Sequence, residues 1–172
     1  KHSTQPFRVD ANEGWQSTEA LDKLKRLASL NVECVEQPIS KNDCETQVQL
    51  KKESPLPLVA DESCVTEKDV ETCADVFHGV NIKLTKCSGI TPARRMIRDA
   101  KSRNLKVMLG CMNESTIGTA ALLHLAPMAD WLDADGPLLL NEHSGSPLLP
   151  INGYYEMPMK PGLGVDVAFD QL

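Results

Sequence analysis

Residues 80–87 read VNIKLTKC. Val80, Ile82 and Leu84 alternate with their neighbours at the period of a β-strand that has one face against a core. Lys83 stands in the last pleat of that run, and Lys86 follows three residues later. On a strand with one wet face a lysine is ordinary, so its meaning comes from what recurs upstream. Asp10 closes FRVDAN, Glu36 closes VECVEQP and Asp61 closes PLVADES, each at the C-terminal end of a short apolar run. Their spacings are 26 and 25 residues, and Lys83 lies 22 residues further on. One strand, one helix and two loops take about that length, since roughly 250 residues make eight such units. Four successive strands therefore deliver one charged side chain each to the same end of a sheet.

The segments between these strands read as helices. STEALDKLKRLASL places Leu21, Leu24 and Ala28 on one face behind Ser17 or Thr18 as N-cap. KNDCETQVQLKK is a polar helix, and Thr66-x-x-Asp69 has the form of a capping box that opens EKDVETCADVF. Thr91-Pro92 offers an N-cap and a first-turn proline to ARRMIRDAKSRN. LKVMLGCMNES is the fifth strand, STIGTAALLHLAPMA a mostly buried helix and DWLDADG the sixth strand. Repeated strand–helix–strand units with short loops predict right-handed crossovers and a parallel sheet. The expected fold is thus α/β, a parallel (β/α) barrel of the TIM type with about six of its eight units. Residues 1–150 form this partial barrel, and 151–172, with the PGLG turn at 161–164, form a tail outside the repeat.

Composition fits a globular chain: of 172 residues, 41% are hydrophobic and 24% charged. The net charge of −6 and the lack of a dense basic cluster argue against nucleic acid as a partner. No apolar run approaches the roughly 20 residues of a membrane span, and KHSTQPFRVD has no apolar segment of a signal peptide. The six cysteines, at 34, 44, 64, 73, 87 and 111, form no CxxC pair. They read as reduced thiols of a cytoplasmic protein. The four histidines are scattered, which argues against a zinc site built on histidine.

Three carboxylates from adjacent strands form a hard, all-oxygen donor set that favours Mg²⁺, with Mn²⁺ as a substitute. A lysine beside a metal-bound carboxylate suits removal of the proton on the neighbouring carbon. That proton is very weakly acidic because its loss creates an enediolate dianion, and a divalent cation stabilises the charge as it develops. A nearby cation and partial desolvation also bring a lysine toward neutral pH as a base.

VDANEGW, VEQPI, LVADES and NIKLTK, in this order and at these spacings, resemble the barrel of the enolase superfamily in its muconate lactonizing branch. The likeness runs over about residues 7–165. It implies an isomerase in which Asp10, Glu36 and Asp61 bind Mg²⁺ and Lys83 is the acid/base. Asn12 and Glu62 would support the metal centre or be plain loop residues. Lys86 would be a structural or solvent-facing partner of the site. Asp133 and Asp135, two apart and so on one face of an extended segment, are either an acidic turn or a pair for a substrate ammonium. Against the barrel they resemble the Asp-x-Asp of dipeptide epimerases. GCMNES, with Met112 and Glu114 on the neighbouring rim, is similar to that group too. The resemblance therefore implies epimerisation at the C-terminal residue of a small dipeptide, with L-Ala-D/L-Glu as the leading substrate.

Two family features have no counterpart. No K-x-K precedes Asp10, and Lys23 and Lys25 belong to the helix after it. Six strands are also two short of a closed barrel. The expectation is that these residues are the C-terminal half of a protein about twice as long, or pair with the rest. The tail would pack on an N-terminal capping domain, and the family's habit implies a homo-oligomer. Three alternatives stay open. One is another enzyme of the branch: a cycloisomerase, o-succinylbenzoate synthase or N-acylamino acid racemase. The others are a non-catalytic metal-binding half-barrel and a phosphate-binding barrel, the last disfavoured because no glycine-rich loop stands near the final strands.

Overall fold

Hydrophobic alternation in the strand runs and 3.6-residue spacing in the helices place the elements of a computed structural model that describes residues 5–141, 148–157 and 159–166. Six strands form one sheet in sequence order, every neighbouring pair parallel. They are β1 (Phe7–Asp10), β2 (Val32–Glu36), β3 (Leu58–Ala60), β4 (Gly79–Lys83), β5 (Lys106–Gly110) and β6 (Trp131–Leu132). Helices α1 (Ser17–Ala28), α2 (Cys44–Glu53), α3 (Asp69–Val76), α4 (Leu84–Cys87), α5 (Ile90–Ser102) and α6 (Thr116–Leu123) make the crossovers. The sheet curls into a half-barrel of the expected class.

Both faces of the central strands β2–β5 are largely buried, and they differ in kind. Val35, Leu58, Val80, Ile82, Val107 and Leu109 face the helices and join Leu24, Leu50, Val70, Met96 and Ile97 in one core. Each fully buried aliphatic side chain there contributes about 1.5–3 kcal/mol. α5 shows how the sequence fits this core: Ala93, Met96, Ile97 and Ala100 repeat at helical spacing and are all buried. The inner face carries a small second cluster of Cys34, Val59 and Met108, with Trp131 packed against it. Strand alternation then puts Glu36 beyond Cys34 and Asp61 beyond Val59 on the inner face, with Asn81 and Lys83 of β4 on that same face. An apolar floor thus lies beneath a charged layer at the strand ends.

Several local expectations are corrected. Leu84 does not continue β4: LTKC is the single turn α4, and Ser88 (φ 70°) and Gly89 (φ 111°) break the chain before α5. Consequently α5 begins at Ile90 after Gly89, and Thr91-Pro92 lie inside its first turn, where the absent proline N–H is not missed. Neither Ser17 nor Thr18 caps α1. Gln16 is its N-cap, without a side-chain bond, and Ser17 donates instead to Asp43, the residue whose carboxylate caps α2. The capping box at α3 is half made: Asp69 accepts from the Thr66 N–H at 2.7 Å, but Lys68 is the N-cap. α6 ends at Leu123, because Pro127 sits in a separate 3₁₀ turn, Ala126–Met128.

All six cysteines are free thiols, and Cys34, Cys64, Cys73 and Cys87 are buried. No helix among the described residues is long and apolar enough to cross a membrane. The outer edges of β1 and β6 have no strand partner among the described residues. Arg8 of β1 instead reaches across, its Nη1 donating to the Leu132 carbonyl of β6 at 3.0 Å. The described part of the tail meets the half-barrel just past β6, where the Tyr155 hydroxyl donates to the Ala134 carbonyl at 2.5 Å. The last six residues of the expected tail, 167–172, lie outside the described residues.

Candidate active site

Parallel register sets Asp10 opposite Glu36, and Glu36 opposite Val59, two residues before Asp61. One carboxylate oxygen from each of Asp10, Glu36 and Asp61 falls within 4.8 Å of the others. The three are held by different donors. Asp10 Oδ1 accepts from the backbone N–H of Asn12 at 2.9 Å. Glu36 Oε1 accepts from Asn81 Nδ2 at 2.6 Å. Asp61 Oδ2 accepts from Lys83 Nζ at 2.9 Å, and its Oδ1 from Lys86 Nζ, which also donates to the Asp61 carbonyl at 2.7 Å. The turn α4 makes the last contact feasible: it folds Lys86 back toward β3 instead of letting it run on with the strand.

Three carboxylates this close destabilise one another as anions. Burial foremost, with the charges of Asp10 and Asp61 adding, pushes Glu36 up to about 7, against the Asn81 hydrogen bond and Lys83. Lys83 moves the other way from an ordinary buried lysine. Burial lowers it, but the hydrogen bond and charge of Asp61, with Glu36 and Asp10, outweigh burial and hold the ammonium above its usual range. Hard oxygen donors, clustered and short of positive charge, fit a divalent cation of the Mg²⁺ kind.

The remaining predicted residues divide. Asp133 shares a cavity of about 250 Å³ with Arg8, Val9, Asp10, Glu36 and Met108, so it looks into the carboxylate ring. Loss of solvation first, then Asp135, raises its carboxyl, against Arg8 and Lys83. Asp135 lies near it, with Ala134 between them turned into the core. Beyond it the chain enters a 3₁₀ turn, Gly136–Leu139. Gly136 is needed there for space, since a Cβ would stand 2.9 Å from the Glu114 nitrogen. Met112 is half exposed on this rim. Glu114 folds onto its own turn, Oε1 accepting from the Met112 N–H at 3.4 Å, and does not join the ring. Asn12 meets Asp10 through its backbone, at φ 45°, and not through its carboxamide. Glu62 lines a larger cavity of about 340 Å³ behind the ring, with Ser40, Lys41, Ser63 and Cys73. Burial foremost raises its carboxyl. Lys23 and Lys25 stay on α1, Lys23 paired with Glu19 at 2.9 Å.

Three contributors were not anticipated. Gln37 is fully buried; its Oε1 accepts from the N–H groups of Asp61 and Ser63 at 3.1 Å each, pinning the loop that presents Asp61. Asn81 bonds Glu36, and Gly110 leaves room for it. Strand parity alone carried a signal for Asn81, since it stands two residues before Lys83 and shares its face.

With this geometry in view, the comparisons are specific. The enolase C-terminal domain-like family model matches residues 2–171. The L-Ala-D/L-amino acid epimerase of Flavobacterium johnsoniae is 44% identical over 165 residues, 96% of this chain and 49% of that protein. The L-Ala-D/L-Glu epimerase of Bacteroides thetaiotaomicron is 35% identical over 161 residues, 93% of this chain and 42% of that protein. Among solved structures, the muconate lactonizing enzyme from Pseudomonas putida is similar with a TM-score of 0.88 at 28% identity, over 95% of this chain and 48% of that one. The chain spans about half the length of the curated relatives it matches.

Proposed function

The chain belongs to the enolase C-terminal domain-like family, and from that premise we propose that it carries the metal-binding and acid/base part of a Mg²⁺-dependent dipeptide epimerase. The observation that carries this reading is the cation–carboxylate cluster at the strand ends: Lys83 Nζ sits 2.9 Å from one of three carboxylates whose oxygens lie within 4.8 Å of one another. Asp10, Glu36 and Asp61 hold the cation, and Mn²⁺ replaces Mg²⁺. When bound, it would supply positive charge against the negative charge that builds as the α-proton leaves, and Asp61, engaged as its ligand, would no longer hold Lys83 protonated.

Lys83 then swings from Asp61 toward the substrate α-carbon and exchanges the proton on one face. Lys86 keeps its hold on the Asp61 carbonyl, so Asp61 stays in place when Lys83 departs. Asp133 and Asp135 accept hydrogen bonds from the substrate's N-terminal ammonium, and Arg8 and Lys83 hold down the repulsion between them. L-Ala-D/L-Glu is the leading substrate, and the relatives named for L-alanyl dipeptides support it. The opposing base, the two further barrel strands and the loops that cover the substrate come from sequence beyond this chain. The whole protein is soluble, cytoplasmic and a homo-oligomer.

The test is a comparison of L-Ala-L-Glu with N-succinyl amino acids in the Asp133→Asn/Asp135→Asn variant. Charge-assisted hydrogen bonds of this kind contribute about 1.5–3 kcal/mol. The dipeptide should therefore lose on the order of 10- to 100-fold in kcat/KM while the N-acylated substrates lose nothing. Equal losses for both classes would remove the ammonium role and return the site to an acylamino acid racemase.

A further inference from the structure

Asn81 is 1% exposed on β4 and faces the interior of the half-barrel. Its Nδ2 donates to Glu36 Oε1 at 2.6 Å, while its Oδ1 is buried without a partner among the described residues. A buried acceptor left unpaired destabilises a fold, and the residue paired with Asn81 on β5, Met108, is apolar and offers it no donor. An apolar side chain at position 81 would avoid that penalty, so the amide is held here for its donor. The register explains how the amide fits. Lys83 pairs with Gly110 on β5, and a Cβ built at Gly110 would lie 2.6 Å from Asn81 Nδ2 and 2.9 Å from its Cγ, and closer still to Oδ1. Gly110 is not at positive φ, so the glycine serves space, not backbone freedom.

Resting on the metal-centre reading above, we propose that Asn81 is a positioning residue for the cation and that Gly110 is the gap that lets it work. The choice of donor matters. Asp61 is gripped by two ammonium groups, which compete with an incoming cation for its charge. Glu36 is gripped by a neutral amide, which fixes one oxygen without adding a positive charge that competes with the metal. The carboxylate also fixes the amide's orientation, because only Nδ2 donates. Partners of this kind around a metal ligand typically change affinity by 10- to 100-fold.

The experiment is Mn²⁺ and Mg²⁺ titration calorimetry, with chemical unfolding of the metal-free protein alongside, on the protein that carries this chain. Asn81→Leu should weaken metal binding by 10- to 100-fold while changing the stability of the metal-free fold little, because removal of the unpaired Oδ1 offsets the lost hydrogen bond to Glu36. Gly110→Ala should weaken binding similarly by pushing the amide off Glu36. In the Asn81→Ala background, where the colliding atoms are absent, Gly110→Ala should have no further effect on affinity. Unchanged affinity in Asn81→Leu, or a Gly110→Ala loss of the same size in both backgrounds, overturns the inference and spares the metal reading. Loss of affinity and of metal-free stability together in Asn81→Leu makes Asn81 merely structural and also overturns it. A parent protein that binds neither cation overturns the metal reading and the inference together.

Discussion

Replacing Glu36 with glutamine keeps the acceptor for Asn81 Nδ2 and removes one charge from the carboxylate ring. In the metal-free protein that charge is unfavourable. Burial foremost, with Asp10 and Asp61, lifts Glu36 from 4.5 to about 7. At about 1.4 kcal/mol for each unit of pKa, ionising it opposes the metal-free fold by about 3 kcal/mol. The direction follows from linkage. Between pH 4.5 and 7 the folded protein holds this proton more tightly than the unfolded chain, so stability is intact below 4.5 and falls as pH rises through about 7. Glutamine does not titrate. Urea unfolding in chelator should therefore show Glu36→Gln and parent nearly equal around pH 4, with the variant about 3 kcal/mol more stable at pH 8. Adding Mg²⁺ should reverse the order at pH 8, because only the parent gains stability from the cation. A difference in chelator that is the same at both pH values would show that Glu36 is not strained by its neighbours, and the case for a cation there would lose its electrostatic basis.

Lys83→Met frees Asp61 from one of its two ammonium competitors, so metal affinity by calorimetry should rise while α-proton exchange falls by about 10³-fold. Retained exchange would move the base elsewhere. His78 accepts the Leu58 N–H at its Nδ1, at 3.0 Å, and burial foremost, with the charge of Lys51, lowers its pKa. A depressed histidine stabilises the fold above its unfolded pKa of about 6.5 and loses that contribution as pH falls. His78→Asn, which keeps an acceptor that does not titrate, should lose less stability than the parent between pH 7 and pH 5; equal losses would remove His78 from the acid response.

The carboxylates and Lys83 were legible in the sequence because a parallel β/α repeat has a nearly fixed length, and residues one repeat apart meet at one end of the sheet. Strand interiors were legible for the same reason. The ends were not. LTKC has the alternation of a strand and the length of a helical turn, and only the positive φ values at Ser88 and Gly89 decide in favour of the turn. That turn turns Lys86 onto Asp61, where a strand would have carried it past. Gln37 and Asn81 escaped notice because a buried amide betrays itself by its partners, Ser63 and Asp61 for one and Glu36 for the other, and those partners are 24 to 45 residues away. Glu114 looked equivalent to Asp133 and Asp135 in position along the rim, but its longer side chain closes onto the N-terminal turn of α6.

The decisive measurement is deuterium incorporation from D₂O into L-Ala-L-Glu, followed by NMR with Mg²⁺ and with chelator, on the protein that carries this chain and on its Lys83→Met variant. Exchange at the α-carbon of the C-terminal residue, dependent on Mg²⁺ and lost in the variant, is the predicted result. Exchange that persists in chelator, or that survives the loss of Lys83, would contradict the assignment of Asp10, Glu36, Asp61 and Lys83 to one metal-assisted proton transfer.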